Sequence, residues 1–325
     1  MVRKWLVLVS STLPLAAAIG LATTRWQTYG FVLFLLAPLV IGMFGAAVFH
    51  LLVPRVTIGN SLLSSMGAVV CAGILMIGLR FEGLICLLMA APIALPLAML
   101  GGLIVYHLQG APDRLPRTTV SASLALLLLA AIEPKLPHHT PLLEVRTAVE
   151  IGAPPQAVWN HVVSFSEIPP PTELLFRSGI AYPIRATIAG KGPGAIRKCV
   201  FSTGPFVEPI EVWDEPRRLS FKVTENPEPM HELSPYPDLK PPHLEGTFTS
   251  KRGQFLLTEL PGGRTRLEGT TWYVNEMWPI SYWRLWSDYI VHRIHLRVLE
   301  HIKQEAERLY SDNDRSSRLV PMAPR

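Results

Sequence analysis

The chain changes its pattern of apolar and polar positions near residue 135. Before this point, long apolar runs are separated by short polar breaks, and after it apolar and polar residues alternate. A helix needs about 20 apolar residues to cross a hydrocarbon core of about 30 Å. The pattern therefore predicts a transmembrane domain over residues 1–135, with about five helices at residues 5–22, 29–53, 61–79, 83–107 and 118–132.

The first apolar run has two interpretations. Arg3 and Lys4 precede it and small residues follow, as in a cleaved signal peptide. Its apolar core is longer than that of a typical signal sequence, which favours an uncleaved anchor.

The second half of the chain has the pattern of an α+β domain. Residues 142–151 alternate as a half-buried strand, and Pro154 begins a short helix. Pro261, Gly262 and Gly263 lie between two strand-like runs and predict a hairpin loop. We predict a folded domain over residues 142–310 and a disordered tail over residues 311–325, with further strands at residues 184–189, 195–202, 208–213, 219–224, 248–260 and 264–275.

A long amphipathic helix is predicted over residues 279–310. At 100° per residue its apolar positions form one stripe, which consists of Trp283, Ile290, Ile294, Val298 and Ile302. A helix of this length needs a long apolar partner, and the strands before it predict an antiparallel sheet.

Two segments carry a resemblance to a known superfamily: EIGAPPQAVWNHVVSFSEI near the start of the domain and FVEPIEVWDEPRRLSFKV in its middle. Together with the order of elements, they resemble the START-like helix-grip superfamily, in particular its SRPBCC or polyketide cyclase/dehydrase-like group. The resemblance covers residues 142–310. It implies a curved antiparallel sheet around a long C-terminal helix, with a cavity for a hydrophobic ligand between them.

The predicted fold class is therefore an α-helical membrane bundle followed by an α+β helix-grip domain. The predicted function is membrane-anchored binding of a lipid or another hydrophobic small molecule. The candidate ligand-binding residues come from the last helix, from the strands and from a proline-rich loop that would act as a lid: Trp283, Ile290, Ile294, Val298, Arg197, Glu208, Glu211, Met230 and Tyr236.

The alternative function is an enzyme of the cyclase/dehydrase type that uses an acid–base pair in the same cavity. Asp288, His292 and His295 share one face of the last helix, so the aspartate would orient a histidine that acts as a general base. The other interpretation of these three residues is structural, as support for the flank of the helix. HRIH lacks the glutamate of the HExxH zinc-protease motif.

Charge and cysteine content exclude several classes of partner. The net charge is +5, but the basic residues are scattered, so we predict no nucleic-acid binding. The three cysteines form neither a disulfide framework nor a CxxC motif, and we expect no metal and no cofactor.

The loops predict an orientation in the membrane. With the N-terminus in the cytoplasm, five basic residues lie inside (Arg3, Lys4, Arg55, Arg114 and Arg117) and three lie outside (Arg25, Arg80 and Lys135). We therefore predict an integral protein of a bacterial inner membrane, with the C-terminal domain on the periplasmic side.

Overall fold

The computed structural model describes residues 14–15, 17–21, 29–53, 56–108, 114–136, 140–237 and 239–318. The chain forms two compact units. The first comprises Met1–His139, Glu232–Glu245 and Glu276–Trp283, and the second comprises Thr140–His231, Gly246–Asn275 and Arg284–Arg325. Most of the predicted span at residues 5–22 lies outside the described residues.

Four helices in the described part of the first unit are long and apolar enough to cross a membrane. They are α1 (Val32–Leu52, which starts as a π-helix), α2 (Ile58–Gly78), α3 (Leu84–Leu108) and α4 (Arg114–Ile132). A short 3₁₀ turn, Glu133–Lys135, follows α4, and α3 continues through Pro92 and Pro96.

Small residues allow α1 and α3 to pack backbone against backbone. A Cβ added to Gly42 would lie 2.5 Å from the carbonyl oxygen of Ala98, and one added to Gly101 would lie 2.4 Å from that of Leu39. The Ser61 hydroxyl of α2 donates to the carbonyl oxygen of Gly102 at 2.8 Å. Close packing and buried hydrogen bonds of this kind stabilise helix bundles in lipid, where the hydrophobic effect does not drive helix association.

The second unit contains a seven-stranded antiparallel sheet with the strand order β1-β7-β6-β5-β4-β3-β2. Bulges in β2, β4 and β6 shift the register, and bulges bend the strands that contain them. The hairpin between β6 and β7 turns at Gly262 and Gly263, whose φ angles are +82° and +71°. The strands are β1 (Leu143–Ile151), β2 (Pro183–Ala189), β3 (Ile196–Phe201), β4 (Gly204–Asp214), β5 (Arg218–Lys222), β6 (Phe248–Leu260) and β7 (Arg264–Asn275).

Two short helices follow β1, namely α5 (Pro155–Val163) and α6 (Leu174–Arg177), and a long helix, α7 (Ile280–Arg318), ends the described chain. From α7, Leu299 and Ile302 are fully buried in one core with Trp159 of α5 and Leu267 of β7. The apolar helices, the curved antiparallel sheet and the long C-terminal helix confirm the predicted fold class. The helix extends beyond residue 310 into the predicted tail, and residues 319–325 lie outside the described part.

Candidate functional site

A cavity of about 120 Å³ lies between the sheet and α7 in the second unit. Most of its wall is apolar, and aromatic side chains from several elements contribute, including Phe165, Phe201, Phe206, Phe221 and Phe255. For comparison, an engineered apolar cavity of about 150 Å³ stays dry and binds benzene. The space therefore suits a molecule or group about the size of one ring.

A buried ion pair forms the polar part of the wall. Arg197 of β3 and Glu208 of β4 are directly opposite in the strand register, and Arg197 Nη1 donates to Glu208 Oε2. Their side chains are only 2% and 8% exposed. Burial alone would lower the pKa of Arg197, but the Glu208 carboxylate raises it, so the guanidinium stays charged.

Arg197 has one donor that the described residues do not satisfy. Its Nε donates to the carbonyl oxygen of Val163 at 3.2 Å, whereas its Nη2 is buried without a hydrogen-bond partner among the described residues. The guanidinium carbon lies 5.4–5.6 Å from the ring centroids of Phe165, Phe221 and Phe255. Aromatic faces stabilise a cation but accept hydrogen bonds weakly, so an acceptor on a bound molecule would complete this site.

Cys199 also lines the cavity and is buried. Burial, together with the carboxylate of Glu208, raises the pKa of its thiol to about 12. The thiol is therefore protonated at neutral pH and contributes to the apolar wall.

His295 of α7 is the histidine in the cavity wall. Its Nε2 lies 2.7 Å from Thr271 Oγ1 and its Nδ1 lies 3.1 Å from Thr147 Oγ1. Burial and, to a smaller extent, the neighbouring His292 lower the pKa of His295 to about 4. The imidazole is therefore neutral at pH 7.

The other two candidate catalytic residues, Asp288 and His292, lie apart from the described cavity wall. Asp288 accepts a hydrogen bond from the Tyr273 hydroxyl at 2.6 Å and pairs with Arg284 at 3.0 Å. His292 is exposed, with Nδ1 2.8 Å from Thr147 Oγ1. Among the described residues, Asp288 therefore forms no hydrogen bond or ion pair with His292 or His295.

The candidate ligand-binding residues are divided between the cavity and other places. Ile294, Val298, Arg197 and Glu208 line the cavity. Ile290 of α7 is half-buried and does not belong to the described residues that line the cavity.

Four further candidates have other neighbours. Glu211 pairs with Lys222 and Arg252 near the surface, at 3.2 and 3.4 Å. Met230 is buried in a bridge to Ile180.

Tyr236 and Trp283 belong to the first unit. The Tyr236 hydroxyl donates to the carbonyl oxygen of Gly78 at 2.9 Å, and the Trp283 ring packs 4.7 Å from that of Phe34.

No family model and no curated protein sequence matches the chain. Among solved structures, an aromatase/cyclase from Streptomyces sp. R1128 is 15% identical, with 52% of this chain and 95% of that one covered and a TM-score of 0.35. Norcoclaurine synthase from Thalictrum flavum, solved with dopamine and hydroxybenzaldehyde, is 12% identical over 55% of this chain and 95% of its own, with a TM-score of 0.34.

Proposed function

We propose that the second unit binds a compact, mostly apolar molecule that carries a hydrogen-bond acceptor, and that the apolar helices anchor the protein in a membrane. The observation that carries the proposal is the buried Nη2 of Arg197, which has no partner among the described residues and belongs to a side chain of the cavity wall. A bound carbonyl, hydroxyl or carboxylate oxygen would satisfy this donor.

The size of the cavity narrows the ligand class to a ring-sized molecule or the end of a single chain. Burying about 150 Å² of apolar surface contributes about 4 kcal/mol to binding. A hydrogen bond to a charged donor adds about 1.5 kcal/mol or more, which is roughly a tenfold increase in affinity. Arg197 would therefore account for a large part of the selectivity between apolar molecules that carry an acceptor and those that do not.

Two matched probes test the role of Arg197, because benzaldehyde has an acceptor oxygen and toluene has none. In ligand-observed NMR with the full-length protein in detergent, we expect benzaldehyde to bind roughly tenfold more tightly than toluene. Ile294→Phe should fill the cavity and weaken both probes. Leu285→Phe is the control, because Leu285 lies on the same helix and is 70% exposed.

Equal affinities for the two probes would contradict the role of Arg197. Unchanged binding in Ile294→Phe would contradict the cavity as the site. Native mass spectrometry of the purified protein should in addition detect a small co-purified molecule that Ile294→Phe lacks.

Cyclase/dehydrase-type catalysis is the second candidate function, and the position of His295 supports it. A neutral imidazole in a cavity wall is a group that acid–base chemistry uses. In this case His295→Gln would abolish turnover of a bound substrate and leave benzaldehyde binding nearly unchanged. Ligands recovered chemically unchanged from the wild-type protein would argue against catalysis.

We further propose that the second unit lies outside the cytoplasm of a bacterial cell. The four described helices and the apolar run at residues 5–22 would make five crossings, and the distribution of basic residues favours a cytoplasmic N-terminus. Alkaline phosphatase fused after Arg325 should be active, whereas the same reporter fused after residue 112 should be inactive. The reverse pattern would contradict this orientation.

A further inference from the structure

Three potential metal ligands lie together in the first unit. Glu82 precedes α3, Cys86 lies in its first turn, and His243 lies in the 3₁₀ turn Pro242–Leu244. One ligand atom from each of the three lies within 4.8 Å of those of the other two. Cys86 and His243, which are 157 positions apart in the sequence, are thus brought together by the fold.

The imidazole lies between the thiol and the carboxylate. Cys86 Sγ is 2.8 Å from His243 Nε2, and His243 Nδ1 is 3.6 Å from Glu82 Oε2. The other carboxylate oxygen, Oε1, accepts a hydrogen bond from the Tyr29 hydroxyl at 3.1 Å. The Tyr29 ring also packs against the imidazole, with 4.9 Å between centroids.

Two polar atoms of this cluster are buried without hydrogen-bond partners among the described residues, namely Glu82 Oε2 and His243 Nδ1. The two residues are only 6% and 5% exposed. A buried polar atom without a partner costs about 1–3 kcal/mol. These two atoms lie 3.6 Å apart, so a cation bound between them would satisfy both.

A second carboxylate adds negative charge beside the cluster. Glu232 accepts hydrogen bonds from the backbone N–H groups of Ile85 and Cys86, at 3.2 and 3.3 Å. A Cβ added to Gly83 would lie 2.1 Å from Glu232 Oε2, so glycine is the residue that admits this carboxylate. Among the described residues, Glu82 forms an ion pair with His243. Electrostatics at the site therefore favours a cation.

We propose that Glu82, Cys86 and His243 bind a zinc ion. A thiolate, an imidazole and a carboxylate form a ligand set that suits Zn²⁺ better than the oxygen-preferring Mg²⁺ or Ca²⁺. Tetrahedral zinc holds neighbouring ligand atoms about 3.4–3.6 Å apart, which matches the 3.6 Å between His243 Nδ1 and Glu82 Oε2. A zinc ion there binds the imidazole through Nδ1, so the Cys86 thiolate, which contacts Nε2, must turn toward the metal. Tyr29 supports the site from outside by orienting the Glu82 carboxylate.

Three protein ligands leave a fourth coordination position open. The same three side chains line part of a second cavity, of about 120 Å³, whose remaining wall is mostly apolar and includes Phe34, Val69 and Met76. Zinc sites with three protein ligands and an open position are typical of catalytic zinc rather than structural zinc. The open position would therefore accept water or a polar group of an otherwise apolar molecule.

The test uses the full-length protein in detergent, stripped with a chelator and reloaded with Zn²⁺ or Co²⁺. We expect about one ion per chain by mass spectrometry of the metal, and a thiolate-to-cobalt charge-transfer absorption in the Co²⁺ form. Cys86→Ala should abolish the charge-transfer absorption and weaken zinc binding by about 100-fold or more. Cys71→Ala is the matched control, because Cys71 is the other free cysteine of the described apolar helices and should leave both signals unchanged.

Two isosteric variants keep the test informative if Cys86→Ala does not fold. Glu82→Gln keeps the acceptor for Tyr29 but loses the charge, and Tyr29→Phe removes the outer hydrogen bond. Each should weaken zinc binding by roughly 10–100-fold.

Zinc should also slow alkylation of Cys86 by about tenfold or more, without an effect on Cys71. Zinc content and cobalt spectrum that are the same in wild type and Cys86→Ala would overturn the proposal. Rapid alkylation of Cys86 at the same rate with and without zinc would also overturn it, and would instead indicate a thiol activated by His243.

Discussion

Replacing Glu208 by glutamine is expected to destabilise the helix-grip unit by about 3 kcal/mol. The substitution keeps the shape of the side chain but removes the charge that opposes the guanidinium of Arg197. Arg197 is 2% exposed and three phenylalanine rings surround it, so water cannot replace the lost charge. Removing one partner of a buried ion pair costs more than the pair itself contributes, because the other charge remains buried.

Hydrogen exchange of β3 and β4, measured by mass spectrometry on the full-length protein, checks this prediction. A loss of about 3 kcal/mol raises the exchange rate by roughly 100-fold when exchange requires unfolding of the unit. Glu211→Gln is the control on the same strand, because Glu211 pairs with Lys222 and Arg252 where water screens the charges. It should cost about 1 kcal/mol or less, and equal effects of the two substitutions would contradict the prediction.

Acidification is expected to destabilise the same unit through His295. The pKa of His295 is about 4 in the folded protein, below its ordinary value of 6.5, so the unfolded chain binds more protons between these values. Stability is therefore fully present above pH 6.5 and is lost as the pH falls toward 4. The loss is about 1.4 kcal/mol per pH unit, and about 3 kcal/mol over the whole window.

The contribution of His295 can be separated from that of other groups by comparing wild type with His295→Gln. Burial also lowers the pKa of His161 and His301, and both residues remain in the variant. The difference between the two proteins in unfolding free energy should therefore change with pH only below about 6.5. Parallel pH profiles of the two proteins would show that His295 is protonated without cost.

The architecture of the helix-grip unit could be predicted because it depends on local periodicity. Strand β1 alternates between buried and less buried positions along its whole length, as its sequence predicts. The resemblance to the START-like superfamily predicted the curvature of the sheet and the position of the cavity. Arg197 and Glu208 are candidates because they lie on neighbouring predicted strands, but strand alternation alone does not identify the face that they occupy. The register of β3 and β4 places them directly opposite each other.

Other features of the sites depend on tertiary neighbours that periodicity does not identify. An apolar stripe indicates that one face of a helix is covered, but it does not indicate by which residues. Trp283 fits the stripe of α7 and nevertheless packs with Phe34 of α1. In the same way, Tyr236 is on a loop with lid-like composition but contacts the end of α2.

The Glu82, Cys86 and His243 cluster illustrates the limit of motif analysis. Glu82 lies just before α3 and Cys86 lies in its first turn, so their nearness in the sequence was the available signal. His243 comes from a loop 157 residues beyond Cys86, so no short motif contains all three ligands.

The buried thiol of Cys199 can report how often the cavity opens. With a pKa of about 12, only about one thiol in 10⁵ is ionised at pH 7 while the side chain is buried. A disulfide reagent in solution can then react at an appreciable rate only during the moments when the strands part and the thiol regains its ordinary acidity. The rate at which the reagent modifies Cys199 would therefore measure how often the cavity opens. A molecule bound in the cavity would lower that rate.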